Sequence, residues 1–497
     1  MCDSVPGRCA GSSEGAPAVR PQAAQLRCCR GKHHRRVERR ACGFVARRCI
    51  VRRRRGIMFL LLLVVVVVVA SLITTVNSSV DSALSPSVPA RSHSPVEYDS
   101  KTAAFEVLWA SDWPEGCSEH NTTVSPPVNW ASFGIRTNPN AVPGSTPGTA
   151  TVVATWYSDS TGRYPWVKPG PDGFVASLKD ACARELCRNG GLPQLANTTQ
   201  HVAQLTADVN RMFPDTNFSG KVAMDWEYWM PSWQANIGNP EYQIYNNYSV
   251  QLVLQDHPTW SQNKAESVAK DAYNSACKTL MTATLATLRK LRPRASWGFY
   301  GLVANPFIGF QAPRATQIND ELRWLWAASS ALFPSAYVPS HDAAVNAQSW
   351  QALSRETWRL WRNIPCNTPG YRSPIYPYMW ADIDAPPFNI TEHLTLAEIN
   401  ATFGSAARQG FDGTIVWGGS MDTKPSKLGI CNPWLNDWVQ RVFGPFVKKL
   451  TRSSWDCAST RCSGNGRCVY EGGGAVAAAC ICTKGWTGSH CDASVSL

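Results

Sequence analysis

The sequence predicts an α/β fold, a parallel (β/α) barrel followed by a small disulfide-rich module. Three observations point there. From about residue 105 to 450, short β-branched and aromatic runs alternate with longer runs of helical periodicity, the pattern of repeated βα units. Residues suited to chemistry collect at the C-terminal ends of the strand-like runs, the end of a barrel where sites are built. The last stretch, 457–491, holds six cysteines and is too small to fold on apolar burial alone.

Residues 77–104, rich in Ser and Pro, read as an exposed linker. The run 149–157 is rich in Thr and Val and ends in two aromatics, a strand. Residues 199–213 have helical periodicity, and 222–227 is the next strand. Over 264–291, Tyr273, Cys277, Leu280, Thr284, Leu288 and Leu291 recur at helical spacing until Pro293 stops the run. Then come strand 297–303, helix 318–333, short strand 335–339, helix 344–363 and strand 374–381. A helix over 395–409 is closed by Gly410, strand 413–418 follows, and 433–450 is the last helix. At or just past the strand ends stand Tyr157, Asp225 with Glu227, Tyr300, Tyr337, Asp384 and Trp417. Any one of these aromatics alone reads as core. Together, at one end of successive strands, they read as the lining of a sugar-binding cleft.

Asp225 and Glu227 are two apart on an extended run, so both carboxylates look into one space. Such a pair does not readily ionise twice, and one member stays protonated near neutral pH. The plain alternative for a bare Asp-x-Glu is a strand end with solvated acids. Trp226, Trp229 and Trp233, whose indole faces suit sugar rings, and Pro231 weigh toward a glycosidase-type site.

The chain has 497 residues and a net charge of +12. Residues 1–56 hold fifteen Lys and Arg against three Asp and Glu, which accounts for the whole excess. The remainder is balanced, so a nucleic-acid-binding body is not expected. The basic tail runs into 57–76, an apolar run just long enough to span a bilayer. Arg52 to Arg55 before it would hold the N-terminus in the cytosol. Two readings fit, a type II membrane anchor and a cleaved signal peptide starting at Met1 or Met58. Both export the rest of the chain, to the cell exterior, a lysosome or an outward-facing membrane position. Sequons at Asn77, Asn121, Asn197, Asn217, Asn247, Asn389 and Asn400 agree with export. Of 18 cysteines six lie in the tail and twelve in the body, consistent with disulfides.

Residues 218–233, Phe-Ser-Gly-Lys-Val-Ala-Met-Asp-Trp-Glu-Tyr-Trp-Met-Pro-Ser-Trp, resemble the active-site strand of the animal and venom hyaluronidases, a family of glycoside hydrolases. Further matches are Trp156-Tyr157-Ser158, Gly190-Gly191-Leu192-Pro193-Gln194, Trp297-Gly298-Phe299-Tyr300, Pro334-Ser335-Ala336-Tyr337 and Val416-Trp417. They run in family order from about 105 to 450. The cysteine spacing of 457–491 resembles an epidermal-growth-factor-like module, which the family often carries. The resemblance implies a distorted, TIM-like (β/α) barrel that cuts the β-1,4 bond after N-acetylhexosamine in hyaluronan, and often chondroitin, without metal or cofactor. It implies Glu227 as proton donor and Asp225 as the carboxylate orienting the substrate acetamide. Tyr157, Tyr300, Tyr337 and Trp417 would hold the acetamide or line the cleft; Asp384 joins them as a candidate substrate contact from its position just past a strand end, not from the resemblance. The acetamide oxygen, not a protein carboxylate, would attack C1, a known exception to the two-carboxylate scheme.

By the same resemblance Cys117 pairs with Cys431 across the barrel seam, Cys457 with Cys468, Cys462 with Cys480, and Cys482 with Cys491. Cys182 and Cys187 are candidates for a local pair, and Cys277 and Cys366 are unassigned. Nothing in 457–491 offers a catalytic pair, so a chain cut after about Ser453 is expected to fold and act. Two departures concern substrate preference. Met230 stands where many members have Arg, and Val303-Ala304-Asn305-Pro306-Phe307 replaces a stretch that brings an acid, an aromatic and half a disulfide. The expected partner cysteine before Ile318 is absent as well. A chondroitin-preferring hydrolase and a non-catalytic glycosaminoglycan-binding protein are the alternatives.

Overall fold

The structure is a computed structural model describing residues 104–110, 128–138, 152–309, 312–364, 373–385, 392–417, 433–470, 479–483 and 485–495. The basic tail, the 57–76 run, the linker, Asn77, Asn121, Asn389, Cys117, Cys366 and Cys431 lie outside these. Contacts divide the chain into two units near residue 96, and every described residue belongs to the C-terminal one.

Its barrel strands are β1 (Glu106–Trp109), β2 (Ile135–Thr137), β3 (Val153–Tyr157), β6 (Lys221–Asp225), β7 (Ser296–Phe299), β8 (Tyr378–Trp380) and β9 (Gly413–Trp417). A short hairpin of β4 (Trp166–Val167) and β5 (Cys187–Arg188) decorates the mouth. Parallel pairing runs β2-β1-β9-β8 in one sheet and β3-β6-β7 in the other. Two seams join the sheets. Bridges from Phe333 to Tyr300, from Leu332 to Ile375 and from Ser335 to Tyr378 make residues 332–335 a stave between β7 and β8. At the other seam the buried Asn138 side chain replaces strand pairing. Its Oδ1 accepts the Val152 and Val153 N–H groups at 2.8 and 3.1 Å, and its Nδ2 donates to the Val153 carbonyl at 2.6 Å. The barrel is thereby closed.

Each strand reads as a buried apolar run because helices cover its outer face. The Gln262–Leu291 helix buries Tyr273, Cys277, Leu280, Thr284 and Leu288, the expected stripe, while Ser261 caps its first turn. Two sequence expectations change. The helix expected over 318–333 is two helices, Ala312–Glu321 and Arg323–Ala328, and 332–333 are extended instead, because that stretch supplies the missing stave. A helix over Pro240–Asp256 and the strand β2 were not anticipated. Asn239 caps that helix and Pro240 opens it, a start signal that was present in the sequence.

The C-terminal module has two small hairpins, β10 (Gly466–Val469) with β11 (Ala479–Cys482), and β12 (Trp486–Thr487) with β13 (Ala493–Ser494). Disulfides join Cys457 to Cys468, Cys462 to Cys480, Cys482 to Cys491 and, in the β5 region, Cys182 to Cys187. No break separates barrel from module, since one helix, Gly444–Arg461, runs through both. Among the described residues no helix is long and apolar enough to cross a membrane.

Candidate active site

Strand register sets the centre of the mouth. Tyr157 on β3 is level with Asp225 on β6, and the Tyr300 N–H donates to the Met224 carbonyl at 3.0 Å. Tyr157, Asp225 and Tyr300 therefore stand side by side at three adjacent strand ends. Two residues on, Glu227 faces the open cleft while Trp226 between them is buried, so the alternation of a strand persists past its last pairing.

The two carboxyls are close enough to act on each other. Burial first, and the Glu227 charge second, push Asp225 well above the carboxylate range. Burial also raises Glu227, for although its carboxyl meets solvent, cleft walls replace most of its hydration. The pair accordingly keeps one proton at neutral pH. Asp225 Oδ1 is buried and has no hydrogen-bond partner. A buried acceptor left open in a cleft is a place for a ligand's N–H.

Aromatics complete the ring. Tyr300 donates to Ser335 Oγ at 3.0 Å, and its ring centre is 6.1 Å from that of Tyr337. Tyr337 stacks on Trp417 at 6.3 Å, and Trp417 Nε1 donates to the Tyr157 hydroxyl at 3.2 Å. Beneath them Tyr378, fully buried, shares a 3.0 Å hydrogen bond with Thr155, and Trp380 stands 5.8 Å from Tyr337. Burial raises the Tyr300 and Tyr337 hydroxyls far above the usual phenol value, so both remain protonated donors.

A family model described as Hyaluronidase, glycoside hydrolase family 56, matches residues 96–477. The chain belongs to the hyaluronidase family. Hyaluronidase-1 of Homo sapiens is 31% identical over 323 residues, 63% of this chain and 68% of its own. The hyaluronidase of Polistes annularis is 32% identical over 294 residues, 57% of this chain and 76% of its own. A chondroitin hydrolase of Caenorhabditis elegans is 28% identical over 353 residues, 68% of this chain and 71% of its own. The crystal structure of bee venom hyaluronidase in complex with a hyaluronic acid tetramer superposes with a TM-score of 0.57. It is 24% identical and covers 70% of this chain and 99% of that one. That likeness speaks to the fold, a hyaluronidase barrel.

Of the expected site residues, the mouth brings Asp225, Glu227, Tyr157, Tyr300, Tyr337 and Trp417 together. Asp384 lies one strand-end along, beside the chain that carries Tyr337. It is exposed beyond β8, its N–H bonded to the Val338 carbonyl at 2.7 Å, and burial is what raises its carboxyl. The tryptophans of the motif are not sugar platforms. Trp226, Trp229 and Trp233 are 1–3% exposed, packed on Tyr164 and Tyr273, because a buried indole stabilises the wall more than an open one. Sequence reasoning also missed Tyr378 and Trp380, although Tyr376, Tyr378 and Trp380 alternate along one run, and Tyr242, whose helix it did not see. Burial and then the Glu227 charge push the Tyr242 hydroxyl up to about 12.

The remodelled loop after Tyr300 has its own clamp in this family member. Asn319 Oδ1 accepts the Ala304 N–H at 2.8 Å and its Nδ2 donates to the Ala304 carbonyl at 2.9 Å. These bonds tie the loop to the following helix, the job expected of the absent disulfide. Among the described residues no cluster of three His, Cys, Asp or Glu could hold a metal ion.

Proposed function

We propose that this chain is an endo-β-N-acetylhexosaminidase that hydrolyses hyaluronan by substrate-assisted retention, with Glu227 as proton donor and Asp225 as acetamide orienter. The observation carrying this reading is the Asp225–Glu227 pair at one strand end, Asp225 half-buried with its Oδ1 unsatisfied and Glu227 open to the cleft. Glu227, the member open to the cleft, gives its proton to the glycosidic oxygen as the C1–O bond breaks. Asp225, now a carboxylate, accepts the acetamide N–H and turns the acetamide oxygen onto C1. Tyr337 and Trp417 hold the acetamide from the far side. Water then attacks C1, loses its proton to Glu227 and reopens the acetamide. Both carboxyls belong to one strand end and lie on one side of the sugar, so neither is placed to attack from the opposite face.

Export fits the same reading. Asn197, Asn217, Asn247 and Asn400 are all exposed, the paired cysteines suit an oxidising compartment, and residues 457–491 have the spacing of an epidermal-growth-factor-like module. A membrane attachment through 57–76 is the second route to the same topology.

The test compares wild type with Glu227→Gln on native and de-N-acetylated hyaluronan and on chondroitin, with NMR of the first-formed anomer. The expected result is a β product, rates lower by orders of magnitude on the de-N-acetylated polymer, and a loss of about 10²–10⁴-fold in the variant. An α product, or equal rates on native and de-N-acetylated polymer, would overturn the substrate-assisted assignment. A faster rate on chondroitin would replace hyaluronan as the preferred substrate. Binding without cleavage by wild type would leave a glycosaminoglycan-binding protein.

A further inference from the structure

Glu227 also lines a cavity of about 380 Å3 that lies between the loop before the Pro240–Asp256 helix and the loop after Tyr300. Its walls include Met230, Ile237, Tyr242 and Leu302, apolar and aromatic faces suited to the C–H face of a sugar. Arg314 is the one cation among its described lining residues, and Glu227 the one carboxylate. Arg314 rises from the Ala312–Glu321 helix and donates through Nη2 to the Gln234 and Ile237 carbonyls, both at 2.6 Å. These bonds fix the guanidinium against the cavity wall.

The acid gives its proton to the oxygen of the departing sugar, so the space on the side of Glu227 away from Tyr337 and Trp417 receives that sugar. In a polymer cut after N-acetylhexosamine the departing sugar is a uronic acid, and it carries a carboxylate. The geometry points to Arg314 as the residue that recognises the uronate carboxylate of the leaving sugar. This inference rests on the hydrolase reading above. A guanidinium suits the task because it is always charged, and its Nη2 bonds hold that charge beside the cavity. Arg314 comes from an element distant in sequence from position 230, and so returns positive charge to a site where Met230 provides none.

The test is a cycle of kcat/KM for wild type and Arg314→Gln on hyaluronan and on hyaluronan with its uronates reduced to glucose. Carboxylate contacts elsewhere in the cleft cancel in the ratio. Gln retains a donor for the 234–237 carbonyls. We expect wild type to favour the charged polymer roughly tenfold more than the variant does, with both enzymes equal on the reduced polymer. Equal loss on both polymers, or none, would overturn the assignment and leave Arg314 a clamp for its loop. A wild type inert on both polymers would count against the hydrolase reading itself. Should the Gln variant not fold, Arg314→Met, which also removes the charge, takes its place with the same preference expected, and a ratio of one again overturns the assignment.

Discussion

At Asp225 the burial that serves the chemistry works against the fold. Its carboxyl is raised in the folded protein, so the native state holds a proton that the unfolded chain releases near pH 4. Between that pH and its raised folded value the folded form binds more protons, and stability falls as pH rises. Asp225→Asn removes the titration. Its midpoint of denaturation should exceed that of wild type by a margin that is small near pH 4 and grows toward pH 8. An identical margin at both values would mean that the carboxyl is not raised. The residue-scale reading of the sequence succeeded here because an i, i+2 pair needs only strand alternation to meet. It failed for Trp226, Trp229 and Trp233, where residue type suggested a ligand platform but packing decided. It failed too for Tyr242, since nothing in the sequence says which loop an off-barrel helix will fold over.

Among the elements, the seam between β2 and β3 decides whether the barrel closes. A three-residue strand such as β2 offers little apolar pattern, and so it was not visible in the sequence, whereas the long Gln262–Leu291 stripe was. Among the described residues one amide bonds across the seam. Asn138→Leu leaves the Val152 and Val153 N–H groups and the Val153 carbonyl without their partner. The cost should be about 2–4 kcal/mol, as several partly buried polar groups lose bonds at once. Asn138→Asp keeps the acceptor for both N–H groups and loses only the donor, so its loss should be smaller. Urea titration of the three proteins checks the order. A Leu variant within about 1 kcal/mol of wild type would mean that the seam is held elsewhere.

On the scale of the whole molecule, the C-terminal module docks on the barrel's floor, so cutting it away would remove these contacts as well as the module. Ser454, at the edge of that cut, accepts the Phe105 N–H at 2.8 Å just before β1. The Tyr470 N–H donates to the Arg408 carbonyl at 2.7 Å. A Cβ added at Gly410 would strike Val469 and Ile481, so the module sits directly on the turn that precedes β9. Arg467 is the centre of this contact. It donates to the Gly410 carbonyl at 3.1 Å and pairs at 2.7 Å with Asp412, with 10% and 14% of the two side chains exposed. Cysteine spacing reported that the module folds, but a single arginine within it gave no sign of where it docks. Burial raises the Asp412 carboxyl, and Arg467 opposes that rise. Arg467→Met fills the same space but leaves Asp412 buried with its nearest cation gone, a change worth about 3–5 kcal/mol. The sign of its pH dependence follows from the carboxylate. Without Arg467 the folded-state value climbs further, so the native state increasingly needs the protonated form. The loss should be largest at neutral pH and shrink as pH falls through the carboxylate range. Denaturation midpoints of wild type and Arg467→Met at pH 4 and pH 7 measure it, and Asp412→Asn combined with Arg467→Met should recover much of the difference. A loss independent of pH, or no recovery in the double variant, would show that the module is held by its apolar contacts and not by this pair.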